Sequence, residues 1–114
     1  TINLEIADTF NRRTRGLMYR QGLAPNAGML FAFPEKTSGP FWNRNTILDL
    51  DIAFLDLDGK ILEILHLESL STDLIAPSIA YFYALEMEAG WFTANRIGIG
   101  DHLIIPTGII GLPE

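Results

Sequence analysis

PFWNRNTILDLDIAFLDLDG, residues 40–59, decides the fold. It brings large aromatics, uncharged polar groups and spaced carboxylates together on what read as consecutive strands. Its last two residues, Asp58-Gly59, are a strong hairpin signal between the runs 51–57 and 60–67. A two-residue turn there sets Leu57 opposite Lys60, Leu55 opposite Leu62, Ala53 opposite Ile64 and Asp51 opposite His66. Ile52, Phe54, Ile61 and Leu65 then share the other face, with Glu63 opposite Phe54. Both faces are largely apolar, so the hairpin is expected in the middle of a sheet and not at its edge. A slip of one residue would exchange every side chain between the faces, which makes the register a sharp expectation.

Before the hairpin, residues 41–46 read as a strand, with Trp42, Arg44 and Thr46 on one side and Phe41, Asn43 and Asn45 on the other. Residues 34–40 form a turn-rich loop. Residues 28–33, GMLFAF, are a continuously apolar strand expected to be covered on both faces. At the start of the chain Ile2, Leu4 and Ile6 alternate with Asn3 and Glu5, the period of a strand with one buried face. Asp8 or Thr9 then caps a helix expected over 10–20. Phe10, Thr14, Leu17 and Met18 fall near one face of it, and Arg12, Arg13 and Arg15 around the other. Arg20 near the helix end suits the macrodipole. Gly16 inside the helix costs about 1 kcal/mol against Ala and lets a neighbouring backbone approach.

After the hairpin, residues 69–78 are a loop by composition. Residues 81–87 read as a strand with Tyr81, Tyr83, Leu85 and Met87 on one face, and Phe82, Ala84, Glu86 and Glu88 on the other. Residues 89–95 suit one or two helical turns, and Gly98 and Gly100-Asp101 precede a last strand over 102–105. The expected fold is α+β: a mixed, mainly antiparallel sheet curled toward a small barrel, with one N-terminal helix packed across it. The curling follows from strands that are apolar on both faces and from glycine-rich turns.

A chain of 114 residues is read as one domain, 1–114. Hydrophobic residues make up 48 %, too many for disorder. A net charge of −6 lacks the cationic footprint of a nucleic-acid or anionic-membrane partner. With no cysteine there is no disulfide, no thiolate nucleophile and no zinc–thiolate cluster, and two histidines cannot make a three-histidine site. No apolar run reaches the roughly 18 residues of a membrane helix. No signal peptide is visible. The chain opens on Thr1 and ends on Leu112-Pro113-Glu114, which reads as a processed or trimmed product.

Candidate site residues cluster near the hairpin. An Asp51–His66 pair would orient the ring and raise its pKa, as a general base needs; it equally satisfies two half-buried polar groups across strands. Trp42, Asn45 and Thr46 offer an indole beside hydrogen-bonding groups, the wall of a pocket for a polar molecule or sugar; they equally suit a strand end with Trp42 in the core. Glu86 on an apolar face must pair with a cation or carry a raised pKa, and Arg15, Arg20 and Arg44 are the candidate partners. Asp49, Asp51, Asp56 and Asp58 fail the calcium-loop spacing, because Phe54 occupies the first ligand position. No metal and no cofactor are expected. Arg12, Arg13 and Arg15 read as a solvated helix face, and Met18 and Met29 as core fillers.

These blocks resemble the domain of unknown function 192 family. RGLMYR (15–20) looks like its RGLMFR, and GMLFAF (28–33) like its GMLFxF. FWNRNTILDLDIAFLDLDGKI (41–61) looks like its FWMKNTxIPLDIxFIDxDGxI. YALEMEAGWF (83–92) looks like its YVLExxAGWF, and IGIGD (97–101) like its IxxGD. Asn43 and Arg44 replace a Met-Lys, and Asp49 replaces a usual Pro. Many members carry a cysteine pair before the YVLE strand, where this chain has Ser69, Ser71 and Ser78. The resemblance implies a compact mixed fold, often exported or lipid-anchored, hence a secreted, periplasmic or membrane-anchored setting. It implies no established activity.

Three functions stay open at this stage. One is a binding or accessory module taking a small polar ligand or glycan at Trp42, Asn45, Thr46, Asp51, His66 and Glu86. The second is a hydrolase using Asp51 and His66. The third is a domain whose partner is another protein.

Overall fold

The computed structural model describes residues 2–113. Five strands and two short helices follow in the order β1 (Asn3–Ala7), α1 (Phe10–Arg15), β2 (Ala27–Thr37), β3 (Leu50–Leu55), β4 (Ile61–Leu67), β5 (Tyr81–Glu88) and α2 (Trp91–Ala94). They form one mixed sheet in the order β1-β2-β5-β3-β4. β1 runs parallel to β2, the crossover passing through α1, and the other pairings are antiparallel. The sheet is open, with β1 and β4 as edges, and does not close into the expected barrel. β4, expected in the interior, is one of those edges. Its start is covered by an irregular segment: Ile61 N–H donates to Asp101 O (2.8 Å) and Leu103 N–H to Gly59 O (2.8 Å). That segment makes only the Lys60–His102 bridge, so no strand forms over 102–105. Gly59 is required here: its φ is +86°, and a Cβ would lie 2.1 Å from Leu103 O.

The register of β3 on β4 is the expected one from Leu50–Leu67 through Phe54–Glu63, including Asp51–His66. It shifts at the tip, where Leu55 faces Ile61. The Asp56 carboxylate accepts from the Asp58 and Lys60 N–H groups and builds a wider turn than two residues allow. The shift carries Ile61 to the face opposite the one expected, beside Leu55. A second irregularity, between Ala32 and Thr37, lets β2 run on through Pro34 where a loop was expected. It also moves Tyr81 to the opposite side from Tyr83.

Side-chain alternation makes two cores. Phe31, Ile52, Phe54 and Ala84 pack on one face, and Leu30, Ala53, Leu85 and Met87 on the other. The helix expected over 10–20 stops at Arg15, because Gly16 turns to φ +50° and its N–H returns to Arg12 O (2.9 Å). No residue of α1 is buried, so it does not pack broadly across the sheet; Leu17, just past its end, enters the first core instead. Arg13 ties α1 down through Ala32 O (2.9 Å) and Leu112 O (2.6 Å).

Candidate functional site

Residues 41–46, expected as a strand, make only one bridge, Phe41 to Ile75, and then turn. Asn45 takes φ +55°, a left-handed conformation that asparagine tolerates better than most residues. Its carbonyl accepts from Tyr19 N–H (2.8 Å), and its Nδ2 donates to the Tyr19 hydroxyl (3.0 Å). The loop is fixed from inside by Asn43, which is buried. Asn43 Nδ2 lies 2.9, 3.1 and 3.2 Å from the carbonyls of Leu48, Leu67 and Glu68. Thr46, also buried, donates to Arg44 O (3.1 Å). Trp42 is left 39 % exposed, with the Arg44 guanidinium 5.6 Å from its ring centre.

This loop, the turn after α1 and the end of β2 enclose a cleft of about 470 Å³ on the first face of the sheet. Phe31, Phe33, Phe41 and Tyr81 form its aromatic wall, with edge-on pairs such as Phe31–Phe41 at 5.0 Å and Phe33–Tyr81 at 5.5 Å. The Tyr81 hydroxyl donates to Gly39 O (2.6 Å), and burial raises its pKa. Arg13, Arg15, Glu35 and Lys36 bring charge to the lining.

Glu86 reaches the cleft from β5, flanked by Met29 on β2 and Ile52 on β3. It is 4 % exposed, and burial pushes its pKa up to about 8. Among the described residues nothing hydrogen-bonds or ion-pairs with its carboxyl group. The arginine pairing considered from sequence does not form: Arg20 binds Glu5, Arg15 lies over Tyr19 and Arg44 over Trp42. No fully occluded side-chain oxygen among the described residues lacks a partner. The Glu86 oxygens therefore open into the cleft.

Asp51 and His66 sit elsewhere. Asp51 neighbours Ile52, which pairs with Glu86, so Asp51 projects from the opposite face. His66 Nδ1 lies 2.9 Å from Asp51 Oδ1, and Nε2 lies 3.2 Å from Asp49 Oδ1. These contacts, the Asp51 hydrogen bond foremost, outweigh desolvation and raise the His66 pKa. Asp51 also accepts from Gly90 N–H (2.8 Å), which anchors the corner leading into α2.

The six residues expected in one pocket thus separate. Trp42, Thr46 and Glu86 line the cleft; Asp51 and His66 form a pair on the other face; Asn45 shapes the loop. Sequence reasoning missed the aromatic wall and also Asn43, which was expected only as a strand residue. An asparagine between aromatics and a run of branched apolar residues was the available signal.

An open mixed sheet with a cleft closed by an asparagine-pinned loop defines a small sheet-dominated fold with two short helices. The chain belongs to the DUF192 family, described as uncharacterized ACR, whose profile matches residues 1–105. Two solved structures are similar. One, from Sinorhizobium meliloti 1021, is described as a proposed transcription regulator; it is 36 % identical, with a TM-score of 0.84 over 87 % of this chain and 78 % of that one. The other, from Novosphingobium aromaticivorans DSM 12444, is described as a protein of unknown function; it is 28 % identical, with a TM-score of 0.84 over 89 % of this chain and 73 % of that one. No curated protein matches. No helix among the described residues is long and apolar enough to cross a membrane.

Proposed function

We propose that this chain is a non-catalytic binding module that takes a small polar or carbohydrate-like ligand into the cleft bordered by Trp42, Thr46 and Glu86. The observation that carries this reading is Glu86, a carboxyl group that is buried and unpartnered among the described residues and opens into a cleft of about 470 Å³. Burying such a group costs several kcal/mol unless something compensates, and a ligand is what the cleft has room for. The partly exposed indole of Trp42 supplies a stacking surface at the mouth.

The hydrolase reading draws on the Asp51–His66 contact. Against it, both imidazole nitrogens face carboxylates, so no lone pair is free to take a proton from water. A protein partner is a third reading, with exposed Ile99 and Ile104 in its favour. The regulator description of the Sinorhizobium meliloti relative finds no echo in a charge of −6, which disfavours a phosphate backbone. A setting outside the cytoplasm goes with this proposal through the family resemblance alone.

The test is an amide NMR screen of the chain against a mixed sugar and metabolite library. Binding shifts resonances of Phe31, Trp42, Thr46 and Glu86, and Trp42→Ala weakens it by about tenfold or more. A library that moves none of these resonances removes the binding-module reading.

A further inference from the structure

Three of the polar residues that line the cleft, Glu86, Asn43 and Thr46, keep oxygen acceptor capacity. The Glu86 carboxyl has no partner among the described residues. Asn43 commits its amide protons to backbone carbonyls, and among the described residues its Oδ1 accepts no hydrogen bond. Thr46 commits its hydroxyl proton to Arg44 O and keeps its lone pairs. All three residues line the same cleft, so one part of its wall offers oxygen acceptors, apart from the donors Arg15 and Lys36. Around them stand Phe31, Phe41 and Tyr81, rings whose faces attract cations. Rings at the margin already take cations this way: the Arg13 guanidinium lies 5.4 Å from the Phe33 centroid, and that of Arg44 lies over Trp42. The lining also carries Arg15 and Lys36, neither of which is ion-paired among the described residues, together with Glu35.

We propose that the cleft binds a small amphoteric amine, with its primary ammonium against Glu86, Asn43 and Thr46, its stem along the aromatic wall, and an anionic group toward Arg15 and Lys36. The inference rests on the binding-module reading and narrows its ligand class. A primary ammonium offers three donors and no acceptor, which matches the acceptor set. A sugar carries no positive charge to set against an ionised Glu86, so it forms no ion pair there. A bare amine would meet the arginine and lysine of the lining with nothing to offset them, and an anionic far end removes that repulsion.

Binding is coupled to a proton. In the empty cleft Glu86 is mostly protonated at neutral pH. An ammonium beside it favours the carboxylate, so the carboxylic acid and the ammonium form an ion pair and one proton leaves to solvent. Affinity therefore rises about tenfold per pH unit while Glu86 starts protonated, and levels off above about pH 8. The other titratable groups lining the cleft are Arg13, Arg15, Glu35, Lys36 and Tyr81.

The test compares 6-aminohexanoate with 6-hydroxyhexanoate, which share stem and anionic end and differ only at the head. Both are titrated into the whole chain by calorimetry and amide NMR at pH 6, 7 and 8. The expected result is binding of the amine at least tenfold tighter than the alcohol. Its Kd falls about tenfold from pH 6 to 7, and its heat varies with buffer ionisation as release of a proton requires. Glu86→Gln removes the pH dependence and weakens binding at least tenfold at pH 8, and Thr46→Val weakens it several-fold. Equal binding of the two probes, or an affinity independent of pH, overturns the inference and leaves the binding-module reading standing. If neither probe nor any library compound moves the cleft resonances, both fall.

Discussion

Glu86 and Asp51 are carboxylates on adjacent strands, one residue out of step, and the sheet gives them opposite environments. Asp51 stands near the start of β3, where the Gly90 N–H and the imidazole of His66 both reach it and solvent is close. Glu86 lies within β5 between β2 and β3, where backbone donors are engaged in the ladders and the flanking side chains are Met29 and Ile52. The same functional group is thus charge-matched on one face and isolated on the other. Position in the sheet, and not residue type, decides which carboxylate is partnered among the described residues and which is not.

The contrast is broken or sharpened most strongly by Glu86→Gln. The folded pKa of Glu86 is raised to about 8 from an ordinary 4.5, so the folded state holds the proton more tightly than the unfolded chain. Stability is then unaffected below pH 4.5, declines as pH rises through the interval to 8, and stays low above it. Glutamine cannot ionise and escapes that decline. Urea unfolding should find the variant more stable by several kcal/mol at pH 9, on the order of 5 kcal/mol for a shift of this size, and nearly equal to the parent at pH 4.5. An equal difference at both pH values would mean that Glu86 is not isolated and that the two carboxylates do not differ as described.

Much of this contrast could be read from the chain, and the parts that could not have physical causes. The Asp51–His66 register was legible because strand alternation holds it within narrow limits, even though the turn that forms after Leu55 is wider than the two residues expected. The apolar setting of Glu86 was legible from Ala84, two residues before it on the alternating pattern, whereas Phe82, expected on the same face, packs against the other core because the register is irregular near Tyr81. Its lack of a cation was not, since the arginines of the 12–20 segment find nearer partners: Asp8 for Arg12, backbone carbonyls for Arg13 and Glu5 for Arg20. The separation of Trp42 from Asp51 was hidden because residues 41–46 alternate like a strand, whereas buried Asn43 binds three carbonyls and bends them into a loop. Side-chain-to-backbone bonds of this kind leave no periodic trace. The two irregular registers, at Leu55 and after Ala32, likewise depend on local turn chemistry that no hydrophobic pattern encodes.

Asp51→Ala probes the satisfied side of the comparison. It removes the acceptor for the Gly90 N–H and one of the two contacts to His66. A loss of about 2 kcal/mol is expected at pH 6, the scale of a lost charged hydrogen bond plus an amide left without its partner. Faster hydrogen exchange at the Gly90 amide is the local signature, with the titration of the Glu86 carboxyl unchanged because that side chain lies on the other face. A shift of the Glu86 midpoint together with the loss at Gly90 would show that the two regions are coupled and do not act as separate environments.

The smallest effect belongs to His66, and it runs in the pH direction opposite to a depressed carboxylate. Its folded pKa is raised above 6.5, so the charged ring is favoured by folding. That contribution is fully present below pH 6.5 and is lost as pH rises through the folded value. The side chain is 49 % exposed, so solvent screens the interaction and the gain stays under about 1 kcal/mol. An NMR titration of the imidazole should give a pKa above 6.5 that falls toward it in Asp51→Ala, and falls in the parent as salt is added. Glu86, shielded in its cleft, should keep its own midpoint through the same salt series. Parallel movement of the two midpoints would mean that solvent reaches the imidazole and Glu86 alike, and the distinction between an enclosed acid and an exposed ion pair would not hold.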